Sequence, residues 1–398
     1  MNNGNGRMNV GVIGVNGNVS ILRKIPALLG TDLSENFSLV AGADIFSTKQ
    51  MSAQNFLDNY RFKETIPLKA RKMFLKEVMP NMVYFCVTKG NSFLPNKLLE
   101  LIGENGVIDI STPNEFHLPF FKQAAIYHKG HVIVEKPVIR NSDEMDELAS
   151  FIVREDLEQR AEKRVFFAAD HYIHYGNIQY FVNNFRRLRN VLGRDIGKIT
   201  GIDIKIEEDE DFANERNQNT IRVASSGGGI WLDTGIHALN FLRVMGLRID
   251  YQSIEARPCK SNDPHIQSEV YGETSMKARF NLIPDEALAN GRCSVQISVG
   301  KFGKEHKKQK RFDINYECGK ASMNMLDKSL SVFGRDGRVI YFDSFSDDAF
   351  YNMYKEFYQR AKSGKGNLDS LVTGIANVND VLAVYDRAKP LRMYNDRK

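Results

Sequence analysis

The residues best equipped for chemistry lie in two short stretches. The first, His131-Val132-Ile133-Val134-Glu135-Lys136-Pro137, ends an apolar run abruptly in an acid, a base and a proline. The second, residues 227–237 (GGGIWLDTGIH), closes on Asp233 and, four positions later, His237. An ammonium and an imidazole together suit the oxidation of a secondary alcohol or hemiacetal, or its reversal. Imidazole titrates near pH ~6.5, so it can take a hydroxyl proton at neutrality. An ammonium stabilises the developing alkoxide or polarises the carbonyl in reverse. Each stretch also has a plainer account on its own: a strand end with a surface ion pair, and a helix cap followed by a half-buried histidine.

The elements around these residues decide what the residues can reach. Three β-branched residues with no turn signal among them predict a short buried strand before Lys136. Such a strand delivers Lys136 to the carboxyl edge of a sheet, where open α/β folds bind their ligands. Pro137 forces Lys136 into extended backbone, and alternation sends Glu135 and Lys136 to opposite faces. Asp233 falls at a helix start and His237 one turn later, with Leu239, Leu242 and Met245 as the buried stripe.

At the amino-terminal side, residues 9–14 (NVGVIG) read as a strand that breaks at glycine. A helix pattern follows through Ile21, Ile25, Leu28 and Leu29, and residues 38–44 (SLVAGAD) form a second strand ending in Asp44. This is the order of a dinucleotide-binding unit, whose turn and helix N-terminus hold a pyrophosphate while the acid accepts bonds from ribose hydroxyls. The turn is unusual. Gly14-Val15-Asn16-Gly17-Asn18-Val19 has asparagine in place of the second glycine and valine in place of the third. Asparagine tolerates left-handed backbone, so the turn still forms. Asp44 follows Gly14 by 30 residues, against about 20 in the usual fingerprint, and the polar stretch 31–36 supplies the added length. Asp44 repels a ribose phosphate, which favours NAD, while Ser47, Thr48 and Lys49 nearby leave NADP possible. A Rossmann-like unit without a nucleotide stays open on these residues alone.

Strands at 82–87 and 107–111 and helices at 94–102 and 120–127 continue the alternation. Thr112-Pro113-Asn114-Glu115-Phe116-His117 is a strand-end loop at the edge that carries Lys136. The pattern implies a parallel sheet covered on both faces. Beyond about residue 140, helices are expected at 142–162 and 178–192 and a strand at 165–168. Period-two strands follow at 198–206, 268–281, 293–299, 311–316, 330–333 and 339–342, and a last helix at 371–388. Runs of strands without intervening helices predict a mostly antiparallel sheet. The chain of 398 residues therefore divides into a Rossmann domain at 8–140 and an α+β domain at 141–398.

A net charge of +5 spread over this length does not indicate nucleic acid. The basic run 301–311 (KFGKEHKKQKR) reads as a solvated hairpin, and the acidic run 207–211 as a solvated strand end. Cys86, Cys259, Cys293 and Cys318 show neither CxxC nor paired spacing, so a structural zinc or disulfide framework is not expected and a reducing cytosol fits. There is no signal-peptide core and no window with the roughly 20 apolar residues of a membrane span.

Taken in order, the glycine turn, Asp44, Thr112 to His117, Glu135-Lys136-Pro137 and Asp233-x-x-x-His237 resemble the glucose–fructose oxidoreductase/inositol dehydrogenase (Gfo/Idh/MocA) family over nearly the whole chain. The resemblance implies an amino-terminal Rossmann domain, a carboxyl-terminal domain with a large open antiparallel sheet, NAD(P), a sugar or cyclitol substrate and association into a dimer or tetramer. It also implies roles. Lys136 touches substrate and nicotinamide, His237 is the acid/base, Asp233 supports substrate and histidine, and Pro137 follows a cis bond. Gly14, Asn16, Gly17, Asn18, Val19, Asp44, Thr112, Pro113, Asn114, His117 and Glu135, with Lys136, are the expected cofactor contacts. Asp170-His171-Tyr172 is similar to the segment of glucose-6-phosphate dehydrogenases that grips sugar phosphate, although Tyr175 stands where their lysine would be. The same scaffold also serves regulators that sense dinucleotide or sugar without turnover, and NAD-assisted glycosidases or lyases. No metal site is expected.

Overall fold

The computed structural model describes residues 7–14, 20–29, 32–44, 83–86, 94–188, 196–208, 229–261, 272–283, 289–301, 308–364, 367–389 and 392–393. The chain forms two compact units: one of residues up to Ile139, Asp143–Ala169 and Phe350–Gly374, the other of Arg140–Ser142, Asp170–Ala349 and the residues from Ile375 on.

In the first unit, β1 (Met8–Ile13), β2 (Phe37–Asp44), β3 (Val83–Cys86), β4 (Val107–Ile110), β5 (His131–Glu135) and β6 (Phe166–Ala169) form one sheet. Its strand order is β3-β2-β1-β4-β5-β6, with every pair parallel. The order reverses between β1 and β4, and ligands of such sheets bind at the carboxyl ends beside that reversal. Both faces are covered, because alternate residues of each strand point opposite ways. Val10, Val12, Val107, Ile133 and Phe167 pack with Ile25, Leu28 and the aromatic stripe Phe350, Tyr354 and Phe357 of the helix Ala349–Lys362. On the other face Phe121 packs edge-on against Phe151 and Phe166. Gly11 permits the helix Asn96–Ile102 to lie flush, since a Cβ there would meet Ile102 at 2.3 Å.

The second unit is built on a nine-stranded sheet. Its strands are β7 (Ile199–Glu207), β8 (Glu255–Lys260), β9 (Ser275–Asn281), β10 (Ala289–Gly300), β11 (Gln309–Tyr316), β12 (Gly319–Asn324), β13 (Ser329–Gly334), β14 (Val339–Ser344) and β15 (Arg392–Met393). They run in the order β14-β13-β12-β11-β7-β10-β9-β8-β15. Only β7–β10 and β8–β15 are parallel among the described pairs. Period-two alternation buries Ile202, Ile204, Ile206, Val295, Ile297, Phe312 and Ile314 on one face, while Lys205, Lys277, Arg279 and Gln296 stay exposed. The helix Ile236–Val244 covers the apolar face, with Phe241 against Phe312 at 4.8 Å between ring centroids.

The expected helix over 142–162 is broken in two: Ser142–Arg154 and Leu157–Arg160. Asp156, at φ 48°, takes left-handed backbone and caps the second piece through Gln159 N. β8, β12, β15 and the helix Ala349–Lys362 had no counterpart in the sequence reading. No helix among the described residues is long and apolar enough to cross a membrane.

Candidate active site

In the first unit the expected residues gather at the carboxyl edge. Gly14 closes β1 in left-handed backbone, at φ 83°. A Cβ there would lie 2.4 Å from the Ser111 carbonyl oxygen, so no side chain fits. Its N–H donates to Ala43 O at 2.7 Å, and Ser20 Oγ donates to its carbonyl at 3.0 Å. Asn16, Gly17, Asn18 and Val19 lie outside the described residues, as does the side chain of Asp44 at the end of β2. Thr112 is buried, and its hydroxyl has no hydrogen-bond partner among the described residues. Pro113 precedes the 3-10 turn Asn114–Phe116, in which Asn114 is buried. The His117 ring spans two carbonyls, Thr112 O and Pro137 O, each 2.7 Å away. It thereby ties the loop after β4 to the loop after β5. Lys136 opens the loop after β5, half-buried, and the Lys136–Pro137 peptide is cis.

Beneath this edge is a buried ionic network that the sequence reading missed. Lys24 ends the π-helical turn Ser20–Lys24 and is 0 % exposed. Its ammonium donates to Asp109 Oδ1 and Ser111 Oγ, both at 2.7 Å, and pairs with Glu135 Oε1 at 2.9 Å. The Tyr354 hydroxyl donates to the other Asp109 oxygen. Burial alone would lower the Lys24 pKa, but the two carboxylates hold it above its ordinary value. Two sequence signals pointed to it: an acid inside the otherwise apolar β4, and a lysine on the stripe Ile21, Lys24, Ile25, Leu28.

For a dinucleotide, the fit rests on two observations. A glycine that admits no Cβ and a buried hydroxyl with no partner among the described residues sit at the ends of β1 and β4, where the strand order reverses. Both suit close approach of a phosphate-bearing ligand to backbone. Among the described residues no group of three or more His, Cys, Asp or Glu forms a metal cluster.

In the second unit, Asp170 caps the 3-10 turn His171–His174 by accepting from Tyr172 N at 3.1 Å. The same carboxylate oxygen lies 2.6 Å from His237 Nδ1, and the other accepts from Asn240 Nδ2 at 2.7 Å. Burial pushes the Asp170 carboxyl up, but His237 facing it more than offsets this and holds it well below the usual range. A carboxylate on Nδ1 places a proton there, which puts the basic lone pair of the neutral ring on Nε2. Tyr172 stacks on the His237 ring at 3.9 Å and 14°, and His171 meets it edge-on at 5.3 Å. Asp233 lies in the π-helical turn Trp231–Gly235 that leads into the helix of His237. The carboxylate bonded to His237 Nδ1 is that of Asp170.

The two charged runs do not both stay in solvent. Lys301 is buried, and Lys310 Nζ donates to Glu208 Oε1 while Lys301 Nζ lies 3.4 Å from Glu208 Oε2. Period-two alternation accounts for it: Lys310 shares a face with Phe312 and Ile314, and Glu208 with Ile204 and Ile206. Residues 209–211 and 302–307 lie outside the described residues.

No family model and no curated protein matches the sequence. Solved structures do. A 3-ketoreductase from Actinomadura kijaniata, in complex with NADP and TDP-benzene, matches at a TM-score of 0.66 and 17% identity, over 98% of this chain and 99% of that one. The UDP-N-acetylglucosamine 3-dehydrogenase of Acidithiobacillus ferrooxidans matches at 0.63 and 15%, over 96% and 98%. An aldose-aldose oxidoreductase from Caulobacter crescentus matches at 0.65 and 14%, over 96% and 97%. The chain shares their fold. The likeness is one of fold and runs over nearly the whole length of the chain.

Proposed function

We propose that the chain is an NAD(P)-dependent oxidoreductase that moves a hydride between nicotinamide and the hydroxyl-bearing carbon of a sugar, sugar phosphate or cyclitol. The observation that carries this reading is the buried Asp170–His237 pair, an imidazole held in one orientation and one tautomer. In the oxidative direction His237 Nε2 takes the hydroxyl proton, and Asp170 stabilises the imidazolium that results. The Lys136 ammonium stabilises the oxygen as it becomes alkoxide-like. Asp233 is assigned to a substrate hydroxyl, and Asp170, His171 and Tyr172 to the same pocket wall. Gly14, Thr112, Pro113, Asn114, Glu135 and Lys136 would hold the dinucleotide, with His117 fixing the loops on either side. When bound, the nicotinamide supplies the hydride acceptor or donor. Two of the fold neighbours support the substrate class, being named for UDP-N-acetylglucosamine and for aldoses.

The test is a panel of sugars, sugar phosphates, nucleotide sugars and cyclitols with NAD or NADP, followed at the nicotinamide absorbance. His237→Ala is expected to lower turnover by about 10²–10⁴-fold, and Lys136→Met to lower it as well. Unchanged turnover in both variants rejects the reading. Tight dinucleotide binding without turnover on any substrate favours the sensing role instead.

A further inference from the structure

The basic and acidic runs meet beside the catalytic imidazole, in a cluster that the proposed chemistry does not yet use. Lys310 bonds the Tyr172 phenol as well as Glu208, and its Nζ is 5.5 Å from the Tyr172 ring centroid. That distance is in keeping with a contact at the hydroxyl end of the ring. Lys301 approaches the second Glu208 oxygen, so Glu208 is held from two sides and in turn fixes Lys310.

The geometry points to Tyr172 as a second catalytic group, a hydrogen-bond donor to the reacting oxygen, aimed by Lys310 as a positioning residue; this rests on the oxidoreductase reading above. An ammonium has three hydrogens and no lone pair, so in the Lys310–Tyr172 bond the nitrogen donates and the phenol oxygen accepts. The phenol hydrogen is thereby turned away from Lys310. Glu208 Oε1 accepts from Lys310, and Oε2 faces Lys301. Stacking at 3.9 Å holds the phenol ring against the imidazole, and the proposal places the reacting oxygen where His237 Nε2 and the Tyr172 hydroxyl both reach it. No proton changes owner at Tyr172. It donates a hydrogen bond to the oxygen from which His237 takes the proton, and that bond strengthens as negative charge grows there. Burial pushes the phenol pKa up, in keeping with a neutral donor.

Four variants test this: Tyr172→Phe, Lys310→Met, the double variant and Lys310→Arg. Tyr172→Phe and Lys310→Met are each expected to lower kcat by about 10–100-fold, with dinucleotide affinity unchanged. The double variant should be no slower than Tyr172→Phe alone, because Lys310 acts only through the phenol. Lys310→Arg, which keeps the donor charge, should restore much of the loss. Additive losses, or an unaffected kcat in Tyr172→Phe, overturn the proposal. A second readout does not depend on turnover. In protein carrying ζ-¹³C-tyrosine, the Tyr172 resonance, identified by its loss in Tyr172→Phe, should move in Lys310→Met, and an unmoved resonance overturns the pairing. A wild-type protein without turnover would count against the oxidoreductase reading, while the resonance still decides the Lys310–Tyr172 bond.

Discussion

With Nδ1 of His237 committed to Asp170 at 2.6 Å, the acid/base role proposed for the imidazole falls to Nε2. Replacing Asp170 by asparagine keeps the shape, but an amide can donate to Nδ1 and so favours the tautomer with the proton on Nε2. Asp170→Asn is therefore expected to lower kcat by on the order of 10²–10⁴-fold while dinucleotide affinity holds. Steady-state kinetics with fluorescence titration of the dinucleotide checks both halves, and an unchanged kcat would detach Asp170 from the acid/base role. Asp170 and His237 were each legible as candidates, but not as partners, because 67 positions separate them. Local spacing pointed instead to Asp233, one turn from His237. Lys310 was hidden for another reason: a basic run reads as solvated unless its parity with Phe312 and Ile314 is followed into the strand. Lys24 was hidden the same way on its helical stripe.

The strands and helices that hold these residues are stabilised unevenly, and the Lys24 network is where one substitution should tell most. Lys24 pins the turn after β1 to β4 and β5, with Tyr354 closing the far side of Asp109. Lys24→Met removes the cation but leaves two carboxylates in a dry site. Breaking one side of a buried pair costs about 3–5 kcal/mol, so the urea midpoint of the first unit should fall markedly, whereas Lys97→Met on an exposed helix face should leave it almost unmoved. Equal midpoints for the two variants would show that Asp109 and Glu135 find other partners. Parallel strands read easily because β4 and β5 are buried on both faces, and β7, β10 and β11 because they alternate. β8 was missed since Pro258 interrupts its pattern, which a place near the sheet edge tolerates. The helix Ala349–Lys362 carries a clear aromatic stripe. Its partner Phe37 lies over 300 positions upstream, and nothing local announces which sheet it covers.

At the level of the whole molecule, the histidines that do no chemistry set its tolerance of acid. His131 Nδ1 accepts from Val165 N at 3.0 Å, so that nitrogen must lack a proton. His128 Nε2 faces the Gly106 carbonyl at 3.2 Å, and Arg164 donates nearby to Gly130 O and Ala125 O. Burial, with the Arg164 charge adding to it, lowers both histidines to about 4. In the unfolded chain each titrates near ~6.5. Between those values the unfolded state binds more protons, so folding stability falls as pH drops through that window. At about 1.4 kcal/mol per pKa unit, the pair withdraws several kcal/mol from the first unit by about pH 4. Denaturation followed at steps from pH 7.5 to 4.5 should show its transition moving to lower urea below about pH 6.5. The double variant His128→Gln, His131→Asn, whose amides keep the donor and the acceptor in place without titrating, should flatten that slope. An equally steep slope in the variant would detach the two histidines from the acid sensitivity.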